Sequence, residues 1–134
     1  MRAVDTNVLL RFFTRDDEKQ FSLAYRFLTE KCTVENQAYI TSIVLVEIVW
    51  SLERSYKYDR KKISAALTLL FNSREILIEH QDEAQKANEL YLEKTAQGFT
   101  DAYTGLIALK HGCSDVVTFD RKATRMDFYQ PLSG

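Results

Sequence analysis

The sequence predicts an α/β protein, a three-layer α/β/α sandwich around a short, mainly parallel central sheet. Three observations predict it. Short apolar runs alternate with longer amphipathic ones along the chain, the pattern of βα units. The strand-like runs are too apolar for a sheet with one wet face and fit strands covered on both sides. The 134 residues hold only four Gly and one Pro, with no repeat and no linker, so one domain over residues 1–134 is expected.

Arg2 to Asp5 fit a first strand. Asn7 to Thr14 carry Val8, Leu9, Leu10, Phe12 and Phe13, too apolar all round for a surface helix, so a buried one is expected. Asp16 and Asp17 signal the start of a helix reaching about residue 31, with Phe21, Ala24, Tyr25 and Leu28 at helical spacing. Ala38 to Thr41 read as a second strand, and Thr41 or Ser42 would cap a helix over about 43–57. Residues 59–72 are the cleanest amphipathic stretch: Ile63, Ala66, Leu67, Leu70 and Phe71 share one face, with Asp59 at the start. Glu75 to Glu79 enclose a third strand. Residues 82–97 form a polar helix with a seam of Ala84, Ala87, Leu90 and Tyr91, ended by Gly98. Thr100 caps a helix over about 101–111, ended by Gly112, with His111 at its C-terminus. Asp115 to Phe119 are a fourth strand, and Arg121 to Gly134 read as a short helical turn and an edge strand.

Charge narrows the function. Eighteen Lys and Arg against 19 Asp and Glu give a net charge of −1, so no global basic field draws the chain to nucleic acid. Such binding would need a local patch or a metal. Cys32 and Cys113 lie far apart and form no CxxC pair, which fits free thiols in a reducing compartment. Asp5 falls where a secretory leader needs apolar residues, and no run approaches the roughly 18 apolar residues of a membrane helix. A cytoplasmic protein without membrane association is expected.

Four acids stand in unusual places. Asp5 ends the first strand and Asp120 follows the fourth, which puts both at the carboxyl edge of the sheet, where ligands bind in open α/β folds. Glu47 is the one polar residue between Ile43 and Trp50, and Asp101 begins a helix after Gly98-Phe99-Thr100. A carboxylate in apolar surroundings is costly unless paired or bound to a cation. Asp5 and Asp101 can also be read as helix caps, Asp120 as the start of a turn, and Glu47 as a solitary exposed position. Ser51 and Arg54 extend the Glu47 face into a polar strip, as if lining a wet cleft. Gly105 and Ala108 follow Asp101 on its face and leave either space beside the acid or room for close packing. Arg54 is the one basic side chain sharing a face with an acid; Arg11 points elsewhere, and His80 and His111 lack ligand spacing. Converging acids without cations repel, and a divalent ion relieves this. Hard oxygen donors favour Mg²⁺ or Mn²⁺ over Zn²⁺. The same ions serve phosphatases, nucleases and phosphotransferases.

Val4-Asp5-Thr6-Asn7-Val8-Leu9-Leu10, the lone Glu47, Phe99-Thr100-Asp101-Ala102 and Val117-Thr118-Phe119-Asp120 together resemble a PIN-domain nuclease, in the small form of the VapC-type toxins. The resemblance spans essentially the whole chain. It implies Mg²⁺ or Mn²⁺ dependence and endonucleolytic cleavage of RNA by metal-activated water. Asp5, Glu47, Asp101 and Asp120 match the acidic quartet, as metal ligands and catalytic groups. Thr6, Asn7 and Thr118 match polar neighbours that orient those acids. A homodimer and a cognate antitoxin that fills the cleft are implied as well.

Basic groups near the acids offer phosphate contacts. Arg54, Lys57, Arg60, Lys61 and Lys62 surround one turn, and Arg121, Lys122 and Arg125 follow Asp120; Arg54 and Arg121 are the chosen contacts to RNA. Tyr56, Tyr58 and Tyr103 are candidate base-stacking rings. Two other functions fit the residues. One is a non-catalytic PIN-like module binding RNA or protein. The other is a phosphatase with Asp5 as nucleophile, although the second acid expected two residues on is Asn7.

Overall fold

The computed structural model describes residues 1–133; Gly134, the last residue of the predicted C-terminal segment, lies outside them. The chain divides into two compact units, Met1–Gln81 and Asp82–Gly134.

In the first unit, β1 (Arg2–Ala3), β2 (Ala38–Ile40) and β3 (Ile76–Ile78) form a parallel sheet in that order. Arg2 pairs with Ala38 and Ala38 with Ile76. Ala38 and Ile40 are fully buried, which explains why the central strand reads as apolar. Four helices accompany these strands: α1 (Thr6–Thr14), α2 (Glu18–Arg26, continued by a π-helical turn over Phe27–Lys31), α3 (Ser42–Arg54) and α4 (Arg60–Phe71). Their starts follow from capping. Asp17, Thr41 and Asp59 each accept a bond from a backbone N–H three residues on. Helix α1 packs on α2 and α3, and α4 packs on α3 and β3. Leu9, Leu45, Ile48, Leu52, Ile63, Leu67 and Leu70 are sealed from solvent there.

A second device fixes the start of α3. The Glu79 carboxylate, just past β3, accepts the Ser42 N–H at 2.8 Å. That bond holds the Glu79 pKa below its ordinary value of 4.5.

Helix α5 (Gln81–Leu92) starts at the last residue of the first unit, and the second unit holds the rest of it, α6 (Phe99–Lys110) and β4 (Val116–Thr118). A 3₁₀ turn (Ala123–Arg125) and β5 (Tyr129–Pro131) follow, and β5 pairs in parallel with β4. Tyr91, Phe99 and Tyr103 pack into an aromatic core, the first pair edge-to-face and the second tilted, with centroids 6.2 and 5.3 Å apart. Lys110 and Glu83 join α6 to α5 at 3.7 Å.

Several predicted boundaries move: β1 ends at Ala3 rather than Asp5, and α3 at Arg54 rather than near residue 57. Helix α5 stops at Leu92 rather than near residue 97, because Lys94 turns left-handed (φ 60°) and the Thr95 N–H returns to the Leu90 carbonyl. Gly98 is therefore free to open α6 as its N-cap, two residues ahead of the predicted start, and Thr100 lies inside the helix rather than capping it. Gly105 is the buried contact of α6. A Cβ there would enter the Phe128 ring, so the small residue serves close packing and leaves no space beside Asp101.

Two outcomes test this scaffold. Gly105→Ala should lower the unfolding free energy by about 1–3 kcal/mol through overpacking; urea denaturation showing no loss would mean the Phe128 ring moves aside freely. Glu79→Ala should lose about 1 kcal/mol at neutral pH, as for a removed helix cap. The Glu79 pKa is depressed on folding, so its contribution is present above about pH 4.5 and fades as pH falls through the folded value. The gap between wild type and variant should close on acidification, and a gap constant with pH would contradict the bond's role.

Candidate active site

Asp5 is the N-cap of α1, immediately beyond Val4. Its Oδ1 accepts the Thr6 N–H at 2.7 Å. A cap more often serves the second or third N–H of the helix; Asp5 instead bonds the first, and no further bond to its carboxylate is made among the described residues. Thr6 is buried and its Oγ1 has no hydrogen-bond partner among the described residues. Asn7 is exposed and lines, with Asp5, a groove of about 490 Å³ walled by Val4, Val8 and Phe27. Arg11 is committed elsewhere, to Gln20 at 2.6 Å and Asp16 at 3.4 Å.

Glu47 sits on the exposed side of α3. The helical period places it with Ile43 and Arg54, flanked by Trp50, and sends Leu45, Ile48, Val49 and Leu52 inward. Ile43 is 73% exposed and Trp50 57%. The apolar run around Glu47 is therefore not wholly buried, and the strip it occupies is partly apolar rather than polar throughout. The Arg54 guanidinium lies over the Trp50 ring at 5.7 Å, which restrains its side chain.

Asp101 occupies the first turn of α6, where an acid favours the helix dipole. It is half-buried and the cap reading fails for it, since Gly98 takes that position. Its backbone carbonyl accepts the Tyr129 hydroxyl at 2.7 Å. Burial, and secondarily the Asp101 charge, push the Tyr129 pKa up to about 12, so the phenol stays a donor. Asp120 follows β4 on an exposed turn. Its N–H donates to Thr118 Oγ1 at 3.0 Å, and its Oδ1 accepts the Lys122 N–H at 2.9 Å. The turn reading of Asp120 thus holds, and Thr118 orients the turn.

Asp101 and Asp120 are electrostatically coupled. Partial burial first, and then the Asp120 charge, raise the Asp101 pKa above its ordinary value of 3.8. No basic side chain pairs with either acid, nor with Asp5 or Glu47, among the described residues. Of the four acids, only Asp101 is withdrawn from water; Asp5, Glu47 and Asp120 are exposed. Asp5 and Glu47 belong to the first unit and the coupled pair to the second. Among the described residues no group of three or more His, Cys, Asp or Glu side chains is gathered closely enough to hold a metal ion. The Asp101–Asp120 pair nevertheless suits a hard divalent cation. Its donors are carboxylate oxygens, and its mutual repulsion is what such an ion removes.

Glu79 and Tyr129, which hold the helix ends that carry Glu47 and Asp101, escaped the sequence reading. Their bonds reach 37 and 28 residues along the chain, and no local pattern encodes them.

An alternation of parallel strands and helices, with acids after strands and on helix turns, defines the class. The PIN domain family matches residues 2–129, and the chain belongs to that family. The α/β fold class read from the sequence stands with it. The chain is also 27% identical over 128 residues to a VapC ribonuclease of Aquifex aeolicus (strain VF5), covering 96% of this chain and 93% of that protein. Among the described residues no helix is long and apolar enough to cross a membrane.

The coupling sets a sign that can be measured. A carboxyl whose pKa rises on folding destabilises the fold once pH exceeds its unfolded value. Asp101→Asn should therefore raise thermal stability at neutral pH in chelator, with the gain vanishing below about pH 3.8. A loss of stability at neutral pH would show that the acid is not crowded.

Proposed function

We propose that the protein is a Mg²⁺- or Mn²⁺-dependent endoribonuclease, the toxin of a toxin–antitoxin pair, acting in the cytoplasm as a homodimer. The observation that carries this reading is the Asp101–Asp120 pair, two mutually repelling carboxylates that form no ion pair with a basic side chain among the described residues. Membership of the PIN family and the likeness to a VapC ribonuclease support it.

In this reading residues 1–134 act as one nuclease domain, and Asp5, Glu47, Asp101 and Asp120 serve one phosphodiester. Asp101 and Asp120 would hold the metal, with Asp5 as a further ligand and Glu47 as a ligand or as the group that would orient the attacking water. When bound, the ion neutralises charge building on the phosphate and acidifies water. The remaining work belongs to the chain. Thr118 keeps the Asp120 turn in place, Tyr129 tethers the first turn of α6, and Thr6 and Asn7 flank Asp5. Arg121 and Arg54, both exposed, offer guanidinium groups to RNA phosphates. The partner that silences such an enzyme is a cognate antitoxin covering the acids.

Asp5→Ala should reduce RNA cleavage at least about a hundredfold, in the range of lost electrostatic stabilisation at an active site. The check is digestion of total cellular RNA in Mg²⁺ or Mn²⁺ buffer, with circular dichroism confirming the fold. Cleavage that survives the substitution, or excess chelator, would overturn the mechanism.

A further inference from the structure

We propose that Phe119 is a stacking platform for an unpaired RNA base, placed beside the acids by the turn that carries Asp120. The inference rests on the ribonuclease reading and deepens it by naming a substrate contact. Phe119 is 84% exposed, more than any other large hydrophobic side chain described. It lies between Thr118, the last residue of β4, and Asp120. No ring of the described residues packs against it.

A single exposed ring is ordinary, but Phe119 shares its pocket with an exposed Leu132, and contiguous exposed apolar surface marks an interaction site. The surroundings say what chemistry fits. Phe119 borders a pocket of about 520 Å³ with Arg121, Thr124, Pro131 and Leu132. Leu132 is 51% exposed and continues the apolar wall. A pocket of this size accepts a small ligand. A flat apolar ring next to a guanidinium matches a nucleotide, whose base stacks while its phosphate pairs with the cation. A purely apolar partner would leave Arg121 and Asp120 facing it without a match.

The platform is also pre-set. The Leu132 N–H donates to the Thr118 carbonyl at 2.9 Å, and the Asp120 N–H to Thr118 Oγ1 at 3.0 Å. These bonds hold both sides of Phe119, so little ordering remains when a base arrives. The tyrosines singled out in the sequence are less suited. Tyr103 is 1% exposed. Tyr58 is covered by the Lys62 ammonium at 3.8 Å, and the Tyr56 hydroxyl is held by Asp16 at 2.8 Å. A single ring stacks on any base, so Phe119 governs affinity for single strands rather than base identity.

The test uses the full chain and an unstructured RNA oligonucleotide, with binding measured by anisotropy in chelator and cleavage in Mn²⁺. Phe119→Ala should weaken binding and raise KM by roughly five- to a hundredfold, the effect of losing one base–aromatic stack. An oligonucleotide abasic throughout should bind wild type and variant alike. Phe119→Trp should retain affinity, with its added fluorescence quenched by RNA. The platform falls if wild type cuts RNA and Phe119→Ala binds and cuts it equally well. It also falls if the tryptophan is blind to RNA, or if Phe119→Ala changes only the oligomeric state. If the wild type neither binds nor cuts RNA, the ribonuclease reading falls, and the platform with it.

Discussion

Two carboxylates that repel each other, one of them half withdrawn from water, are the constraint around which the second unit is organised. Asp101 is pressed toward its protonated form by burial and by Asp120. Such an arrangement relaxes unless the backbone holds it. Three features do so. Gly105 lets α6 sit tightly against Phe128, Tyr129 grips the Asp101 carbonyl, and Thr118 locks the turn at Asp120. The strain of like charges is thus set against packing and hydrogen bonds made elsewhere in the unit. A divalent ion would convert the same repulsion into ligation.

The first unit reaches a comparable end with helix termini. Asp5 serves as cap and as acid, which leaves one oxygen tied to Thr6 and the other available. Glu47 owes its place to α3, and α3 owes its start to the Thr41 cap and to Glu79 just past β3. Neither acid needs a low-dielectric setting, since both face solvent. The electrostatic tension therefore resides in Asp101 and Asp120. Asp5 and Glu47 add charge without a desolvation penalty.

Local chemistry was legible in the sequence and distant chemistry was not. Thr41 and Asp59 cap the helices they were expected to cap, because N-cap selection is decided within four residues. The strands were placed within two residues at each end, since a buried parallel strand advertises itself as an apolar run. The 82–97 segment misled because Gly98 looks like a terminator, whereas Lys94 ends the helix by itself in a left-handed turn. The strip around Glu47 reads as polar in the sequence because an apolar run hides which face of the helix meets water, and Ile43 and Trp50 share that face. The positions of the four acids came from a motif, but the uneven burial among them depends on tertiary packing. Phe119 gave no signal at all, since an exposed phenylalanine and a core one look the same in a sequence.

Calorimetric titration of the metal-free protein with Mn²⁺ near neutral pH, repeated on a variant lacking both Asp101 and Asp120 carboxylates, bears most directly on the crowded pair. The wild type should bind Mn²⁺ saturably and gain stability against heat, and both effects should disappear in the double variant. Equal binding by both proteins, or none by the wild type at millimolar metal, would contradict it.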